Sequence, residues 1–328
     1  KTHRSEGNLN NAYGLPLALL RMEEACQAAV LEMGMSFRGE IARLVEIADP
    51  DVGVILNVLR VHLEHFGSID GIAEAKGELF AGMRQDAIAA YNADDARVAR
   101  LGRAFPGRSI PFGLKAKGRE VTAEALSPLG LAGTRFLLRH GKETTPVEIG
   151  LAGKHHVYNA LAAAAAGYAC GLDGEAIAAG LQSVRPAPMR GVLHRRPDGV
   201  EILDDAYNSN PVAMERALDL LTEARPRGRR ILASGDMLEL GPDASRAHTR
   251  LGQQVASAGI DLLVAVGPLS LKTADAARRG KGEVVHFESS EDAAAWIASA
   301  VRPGDLVLVK GSRGIKMERV VQALLGRA

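Results

Sequence analysis

The chain has 328 residues, 47% hydrophobic and 24% charged, ordinary values for a globular protein that exclude a disordered tail, a collagen and a coiled-coil rod. Forty basic against 39 acidic residues leave a net charge of +1, so no global basicity argues for nucleic acid or an anionic membrane, and an anionic ligand must be met by a local site. No apolar run reaches the ~18–20 residues a membrane helix needs, and the only cysteines, Cys26 and Cys170, fit a reducing compartment better than a disulfide framework. The chain opens on Lys1 without an apolar signal-peptide core, so it is expected to be processed or to be a piece of something longer.

In chain order, Ser5–Pro16 is a polar segment with three Asn and two Gly ahead of a helix. Its amides suit phosphate or sugar hydroxyl contacts, or simply a capped turn. Ala28–Glu32 and Val52–Asn57 read as buried strands and Ala87–Tyr91 as a third, with helices over Ile41–Ile47 and Ile69–Met83. Ligands of parallel sheets gather at the carboxyl ends of strands, so Glu32 and His62 are expected at one edge, where a carboxylate and an imidazole suit a divalent cation. Lys76 lies within the Ile69–Met83 helix.

Short strands follow over Ser109–Ile149, and the alternation in Arg135-Phe-Leu-Leu-Arg139 predicts a sheet with one wet face. A helix over His156–Cys170 carries Asn159 in its first turn, where free N–H groups and the helix dipole favour a nucleotide or anion. Another helix covers Gly174–Gln182. Val184-Arg-Pro-Ala-Pro-Met-Arg-Gly191, with two prolines within three residues, reads as a stiff linker and a domain boundary.

Beyond it, strands at Arg230–Ser234, Asp261–Val266, Glu283–Phe287 and Asp305–Val309 alternate with helices at Ala244–Ala258, Leu269–Arg279, Glu291–Ala300 and Ile315–Leu325. That alternation implies a parallel sheet covered on both faces. Ahead of these, the apolar run Ile202-Leu203 ends in Asp204-Asp205, and Tyr207-Asn-Ser-Asn-Pro211 opens a helix. Adjacent carboxylates at a strand end are costly unless they meet a metal, a ribose hydroxyl or a basic group.

Taken together, Gly7-Asn-Leu-Asn-Asn11, Glu32-Met-Gly34, His62-Leu-Glu64, Phe66-Gly-Ser68, Ala75-Lys-Gly-Glu78, Asp204–Pro211, Gly235-Asp-Met-Leu-Glu-Leu-Gly241 and Val309-Lys-Gly-Ser-Arg313 resemble the Mur ligase family of ATP-dependent amide-forming enzymes of peptidoglycan synthesis. The Asp-Asp-x-Tyr-Asn-x-Asn-Pro segment is similar to the branch that joins UDP-N-acetylmuramoyl-tripeptide to D-alanyl-D-alanine. The resemblance implies an α/β protein. Residues 1–188 would be a central ATP-binding domain lacking its phosphate loop, and 189–328 a Rossmann-like C-terminal domain. It implies ATP and Mg2+ as cofactors, with two metal sites, in a cytoplasmic and monomeric enzyme that neither inserts in a membrane nor binds nucleic acid.

By the same resemblance, Glu32 and His62 would hold magnesium, although imidazole is a soft ligand for so hard an ion. Lys76 would react with CO2 to a carbamate, which needs a neutral amine and turns a cation into an anionic oxygen ligand. Asn159 would face the adenine, Asp205 the ribose and Arg190 the phosphates, with hinge motion carrying Arg190 into place; Tyr207 would stack on the base. Lys76, Arg190 and His62 are the implied catalytic residues. Asn8, Asn10 and Asn11 would face the UDP-sugar substrate, and Asn208, Asn210, Lys310, Ser312 and Arg313 the acceptor dipeptide.

The sequence departs from the family pattern at His156, Ser5 and Leu59-Arg-Val61, and it contains no G-x-x-x-x-G-K-[ST] phosphate loop. The chain is therefore expected to start after that loop and after a UDP-binding domain, and to be inactive alone. Alternatives are a sister or polyglutamate-type ligase, a non-catalytic nucleotide- or UDP-sugar-binding module, and a metal hydrolase built on His62, His65 and Glu32.

Overall fold

The computed structural model describes residues 1–59, 66–115 and 118–326. It separates into two compact units: Lys1–Leu126 with Phe136–Val147 and His155–Leu181, and Ser127–Arg135 with Glu148–Lys154 and Gln182–Ala328.

In the first unit, β1 (Thr2–Arg4) and β2 (Ala28–Val30) form a two-stranded parallel pair of their own. The expectation of a buried strand over Ala28–Glu32 is corrected here: all three residues of β2 are exposed, and β2 is no part of the large sheet. Ala-Ala-Val is too short an apolar run to gain much by burial. Helix α1 (Gly14–Leu20) follows β1, and α2 (Glu40–Ala48) follows β2.

The large sheet runs β3 (Val52–Ile55), β4 (Ile88–Asn92), β5 (Arg108–Phe112), β6 (Val121–Pro128), β7 (Thr134–His140), β8 (Glu143–Ile149), with β3 to β6 parallel. Only Gly141 and Lys142 join β7 to β8, a turn short enough to require antiparallel neighbours, and Gly141 supplies its φ of +60°. Along β7, Phe136 and Leu138 are buried while Arg135, Leu137 and Arg139 are exposed, so one face is wet as the alternation predicts.

Helices α3 (Ile69–Gly82) and α4 (Ala96–Ala104) start at true caps. Ser68 Oγ accepts from Gly71 N–H at 3.0 Å, and Asp95 Oδ1 accepts from Arg97 and Val98 N–H. With α2 they bury Leu44, Val45, Ile72, Phe80 and Val98 against Ile55, Ala89 and Tyr91. Helix α5 (Lys154–Ala169) is two residues longer at its start than the pattern implied, which moves Asn159 from the first turn to the second. Helix α6 (Gly174–Ser183) completes this unit's chain order.

The second unit holds a six-stranded sheet in the order β13 (Glu283–Phe287), β12 (Leu262–Val266), β11 (Arg230–Gly235), β14 (Leu306–Lys310), β10 (Glu201–Asp205), β9 (Val192–Arg195). All neighbours are parallel except the edge strand β9, which pairs antiparallel with β10. Every residue of β12 and β14 is buried, which accounts for strands without polar alternation. The period of two still sorts the side chains. Ile202, Ile231, Val264 and Val307 face α10 (Ser290–Ala300) and α11 (Glu318–Leu324). Leu203, Leu232, Leu263 and Leu308 face α7 (Pro211–Glu223), α8 (Ala244–Ser257) and α9 (Ser270–Ala277).

The helices that follow β10 and β11 thus cover one face, and the helix that follows β14 covers the other. The carboxyl end of β14 is therefore a topological switch point, where the outgoing chains part to opposite faces of the sheet. The helix expected over Ile315–Leu325 is split. A 3₁₀ turn at Arg313–Ile315 is ended by Lys316 at φ +60°, and α11 begins at Glu318.

Candidate functional site

In the first unit the polar N-terminal segment and the chain after β2 come together. Asn10 Nδ2 donates to Glu32 Oε1 at 2.9 Å, Gly34 N–H donates to Asn10 O at 2.7 Å, and Glu32 N–H donates to Ser5 Oγ at 3.1 Å. A Cβ on Gly34 would sit 3.0 Å from the Asn10 amide, so a glycine lets the chains approach. Asn11 makes the capped turn: its Oδ1 accepts from Tyr13 and Gly14 N–H. Asn8 is exposed beside them. Glu32 keeps one oxygen outside the Asn10 bond, and it lies two residues past the end of β2, not on the edge of the large sheet. His62 and His65 lie outside the described residues.

Lys76 is half-buried in α3, and among the described residues its ammonium makes no hydrogen bond or ion pair. Burial pulls its pKa below the ordinary lysine range. Glu78, two residues further along the helix, is spent on structure: its carboxylate accepts from Gly39 N–H at 2.7 Å and Ala42 N–H at 3.1 Å, fixing the start of α2. Asn159 is exposed on α5. Its neighbour Tyr158 donates to Asp94 Oδ2 at 2.8 Å, and the same carboxylate accepts from Leu114 and Lys115 N–H. Asp94 thus ties α5 to the loop after β5, a role the sequence reading did not assign.

In the second unit, residues 189–191 are not a free linker. Gly191 N–H donates to Asp204 O at 2.8 Å, and Tyr207 N–H donates to Met189 O at 3.1 Å. Arg190 is thereby fixed to this unit, its guanidinium 4.1 Å over the Tyr207 ring, so one face of that ring is already covered.

The adjacent carboxylates meet different partners because the strand turns them to opposite faces. Asp204 is 7% exposed, accepts from Ala206 N–H at 3.2 Å and lies 3.9 Å from His194 Nε2. Burial raises its pKa, with Asp205 and Glu318 adding to the rise and the Ala206 N–H opposing it. Asp205 Oδ2 accepts from Lys310 Nζ at 2.6 Å, and the same ammonium donates to Asn208 O at 2.9 Å. Asn210 caps α7, its Oδ1 accepting from Ala213 N–H at 2.9 Å, and Pro211 takes the first helical position. Asn208 is exposed, with its Oδ1 on Ser209 N–H. Ser312 Oγ accepts from Leu238 N–H at 2.9 Å and donates to Ser209 O at 3.3 Å, while exposed Arg313 pairs with Glu318 at 2.8 Å.

One further buried group went unread in the Gly235–Gly241 segment. Asp236, at the carboxyl end of β11, accepts from Leu269 and Ser270 N–H, and the rule that drew attention to Asp205 at a strand end applies to it equally. His248 accepts Met237 N–H on Nε2 at 3.0 Å and donates from Nδ1 to Ala244 O at 2.8 Å. That pattern puts its proton on Nδ1.

Parallel α/β units with carboxylates and lysines at strand ends and helix faces define a ligand-binding α/β protein. A model of the Mur ligase middle domain matches residues 1–167, and one of the Mur ligase glutamate ligase domain matches 189–313. The chain belongs to the Mur ligase family. It is 36% identical over 327 residues to the UDP-N-acetylmuramoyl-tripeptide–D-alanyl-D-alanine ligase of Bacillus subtilis, covering 99% of this chain and 70% of that protein. Among solved structures, MurF from Acinetobacter baumannii superposes with a TM-score of 0.91 at 30% identity, over 99% of this chain and 71% of the other. MurF ligase of Thermotoga maritima in complex with ADP gives 0.85 at 27% identity, over 99% and 73%.

Proposed function

We propose that this chain belongs to an enzyme that joins D-alanyl-D-alanine to UDP-N-acetylmuramoyl-tripeptide at the expense of ATP, in the cytoplasmic synthesis of a peptidoglycan precursor. The observation that supports this most is that the likeness to ligases of that name runs through both units, not one. In this reading the γ-phosphoryl group of ATP passes to the tripeptide carboxylate, breaking its bond to the β-phosphate and leaving ADP. The dipeptide amine then attacks the acyl carbon, an amide forms and loses its extra proton, and inorganic phosphate leaves.

Magnesium, when bound, would neutralise phosphate charge. The hard carboxylate oxygen of Glu32 left over from the Asn10 bond fits such an ion. Lys76 fits carbamate formation: it is unpaired among the described residues, and its depressed pKa favours the neutral amine that CO2 requires. His62 remains the third proposed ligand.

Asn159 is assigned to the base, Asp205 to the ribose, Arg190 to the phosphates, and Tyr207 to the base through its uncovered face. Asn8, Asn10 and Asn11 are assigned to the UDP-sugar substrate. The exposed side chains of Asn208 and Arg313, with the Asn210 amide nitrogen, are the groups assigned to the acceptor. The division at residues 188 and 189 is proposed as the domain boundary.

Ligation assays on the full-length protein with a panel of amines test the reading. Incorporation of D-alanyl-D-alanine with release of ADP is the expected result. Use of a single amino acid such as glutamate or a diamino acid, with no use of the dipeptide, overturns it.

A further inference from the structure

Lys310 closes β14 at the switch point, and the strand register sets it between Asp205 of β10 and Ser234 of β11. One pleat earlier the same row reads Leu203, Leu308 and Leu232, part of the apolar cluster under α7 and α8. The lysine stem thus caps an apolar face, and the residue is 4% exposed. Its ammonium holds a carboxylate of β10 and the Asn208 carbonyl of the following loop. Two residues on, Ser312 is also 4% exposed and holds the next carbonyl, that of Ser209, while accepting the Leu238 N–H. From one strand end, two side chains fasten three points of the Asp205–Ser209 segment: the Asp205 carboxylate and the Asn208 and Ser209 carbonyls. A buried ammonium occupied in this way reaches a diffusible carboxylate only by giving up partners that hold its charge.

We infer that Lys310, with Ser312 beside it, is a positioning residue rather than an acceptor ligand: it orients the Asp205 carboxylate and sets the backbone of the Ala206–Asn210 loop. This revises the expectation that Lys310 and Ser312 grip the dipeptide, and it rests on the ligase reading above only for its kinetic consequence. Recognition is left to side chains that the fastened loop presents outward.

Two measurements test it. Amide hydrogen exchange on the 328-residue chain needs no substrate. Lys310→Met should speed exchange at Ala206, Tyr207 and Ser209 by about tenfold or more and leave the amides of β12 unchanged. Unchanged exchange at those three amides overturns the inference, whatever the enzyme turns out to ligate. Should Lys310→Met not fold, the neutral pair Asp205→Asn/Lys310→Met replaces it in the same experiment.

In steady-state ligation by the full-length protein, the double variant should be no worse than the poorer single variant. Lys310→Arg should recover part of the loss, and the dipeptide KM should stay within about twofold of wild type. A dipeptide KM that rises on Lys310→Met irrespective of the residue at 205, with effects that multiply, makes Lys310 a direct ligand and overturns it. Absence of any dipeptide ligation by the wild-type protein fails the ligase reading instead, and leaves exchange to decide.

Discussion

Arg190 lies over the Tyr207 ring, its guanidinium carbon 4.1 Å from the ring centroid, because the backbones on either side are bonded to one another. A residue expected in a stiff linker between domains is thereby held on the same unit as Asp205. The pair is exposed on the arginine side, so its worth is at the lower end for cation–π contacts, about 0.5–1 kcal/mol. A double-mutant cycle in urea with Arg190→Ala and Tyr207→Leu should return a coupling of that size, and Tyr207→Phe should keep it. A cycle that closes at zero shows the ring to be mere packing.

Asp305 is 1% exposed and accepts from Arg229 Nη2 at 2.7 Å, from Arg229 N–H at 2.8 Å and from Arg302 N–H at 2.9 Å. Burial by itself pushes its pKa up, but the Arg229 side chain and the two backbone donors outweigh it and hold the carboxyl below its ordinary value. A depressed folded pKa contributes stability that is complete above the unfolded value of ~3.9 and is lost as pH falls through the folded one. Asp305→Ala should cost roughly 3–5 kcal/mol at neutral pH by stranding Arg229. Asp305→Asn should flatten the wild-type fall in urea stability below pH ~4.

Lys76 has no ion-pair partner among the described residues, and burial disfavours its charged form, which is a cost to folding. Lys76→Met should therefore leave the chain as stable as wild type or more so in a thermal melt, while abolishing ligation in the full-length protein. Loss of both stability and activity makes Lys76 structural. Retention of activity removes it from the proposed chemistry.

Gly102 lies inside α4, where Ala is the better helix former by about 1 kcal/mol. A Cβ there would overlap the ring of Tyr91, which is 6% exposed and has no room to retreat. Overpacking should win, and Gly102→Ala should destabilise by about 1–3 kcal/mol in urea unfolding followed by tyrosine fluorescence. A gain in stability shows that the ring shifts freely.

The helix-capping residues give a separate scale. Asn210→Ala removes the side-chain acceptor for Ala213 N–H and should cost about 1 kcal/mol. Asn210→Asp should keep the cap. If Asn210→Ala changes dipeptide KM without touching the melting temperature, the residue acts on substrate and not on the helix.

The alternation of Arg135–Arg139 and the apolar runs of β11, β12 and β14 were legible in the sequence because burial pattern is local: each side chain's face follows from the period of two. The family followed from short segments whose residue types were already unusual for bare scaffold, Asp204–Pro211 above all. Other features depended on which strands become neighbours, and no local pattern encodes that. The sequence does not reveal that Ala28–Val30 would stand outside the main sheet and exposed, or that residues 189–191 would be bonded to β10. The same holds for Lys310, whose pattern as a lysine after an apolar strand suits an anion site. Only the order β11-β14-β10 puts its ammonium against Asp205 and the Asn208 carbonyl. The sequence by itself determined the class of chemistry through residue types, and the tertiary structure decided which charges are already spent on one another, because a buried charge must find its partner across strands that lie far apart in the chain.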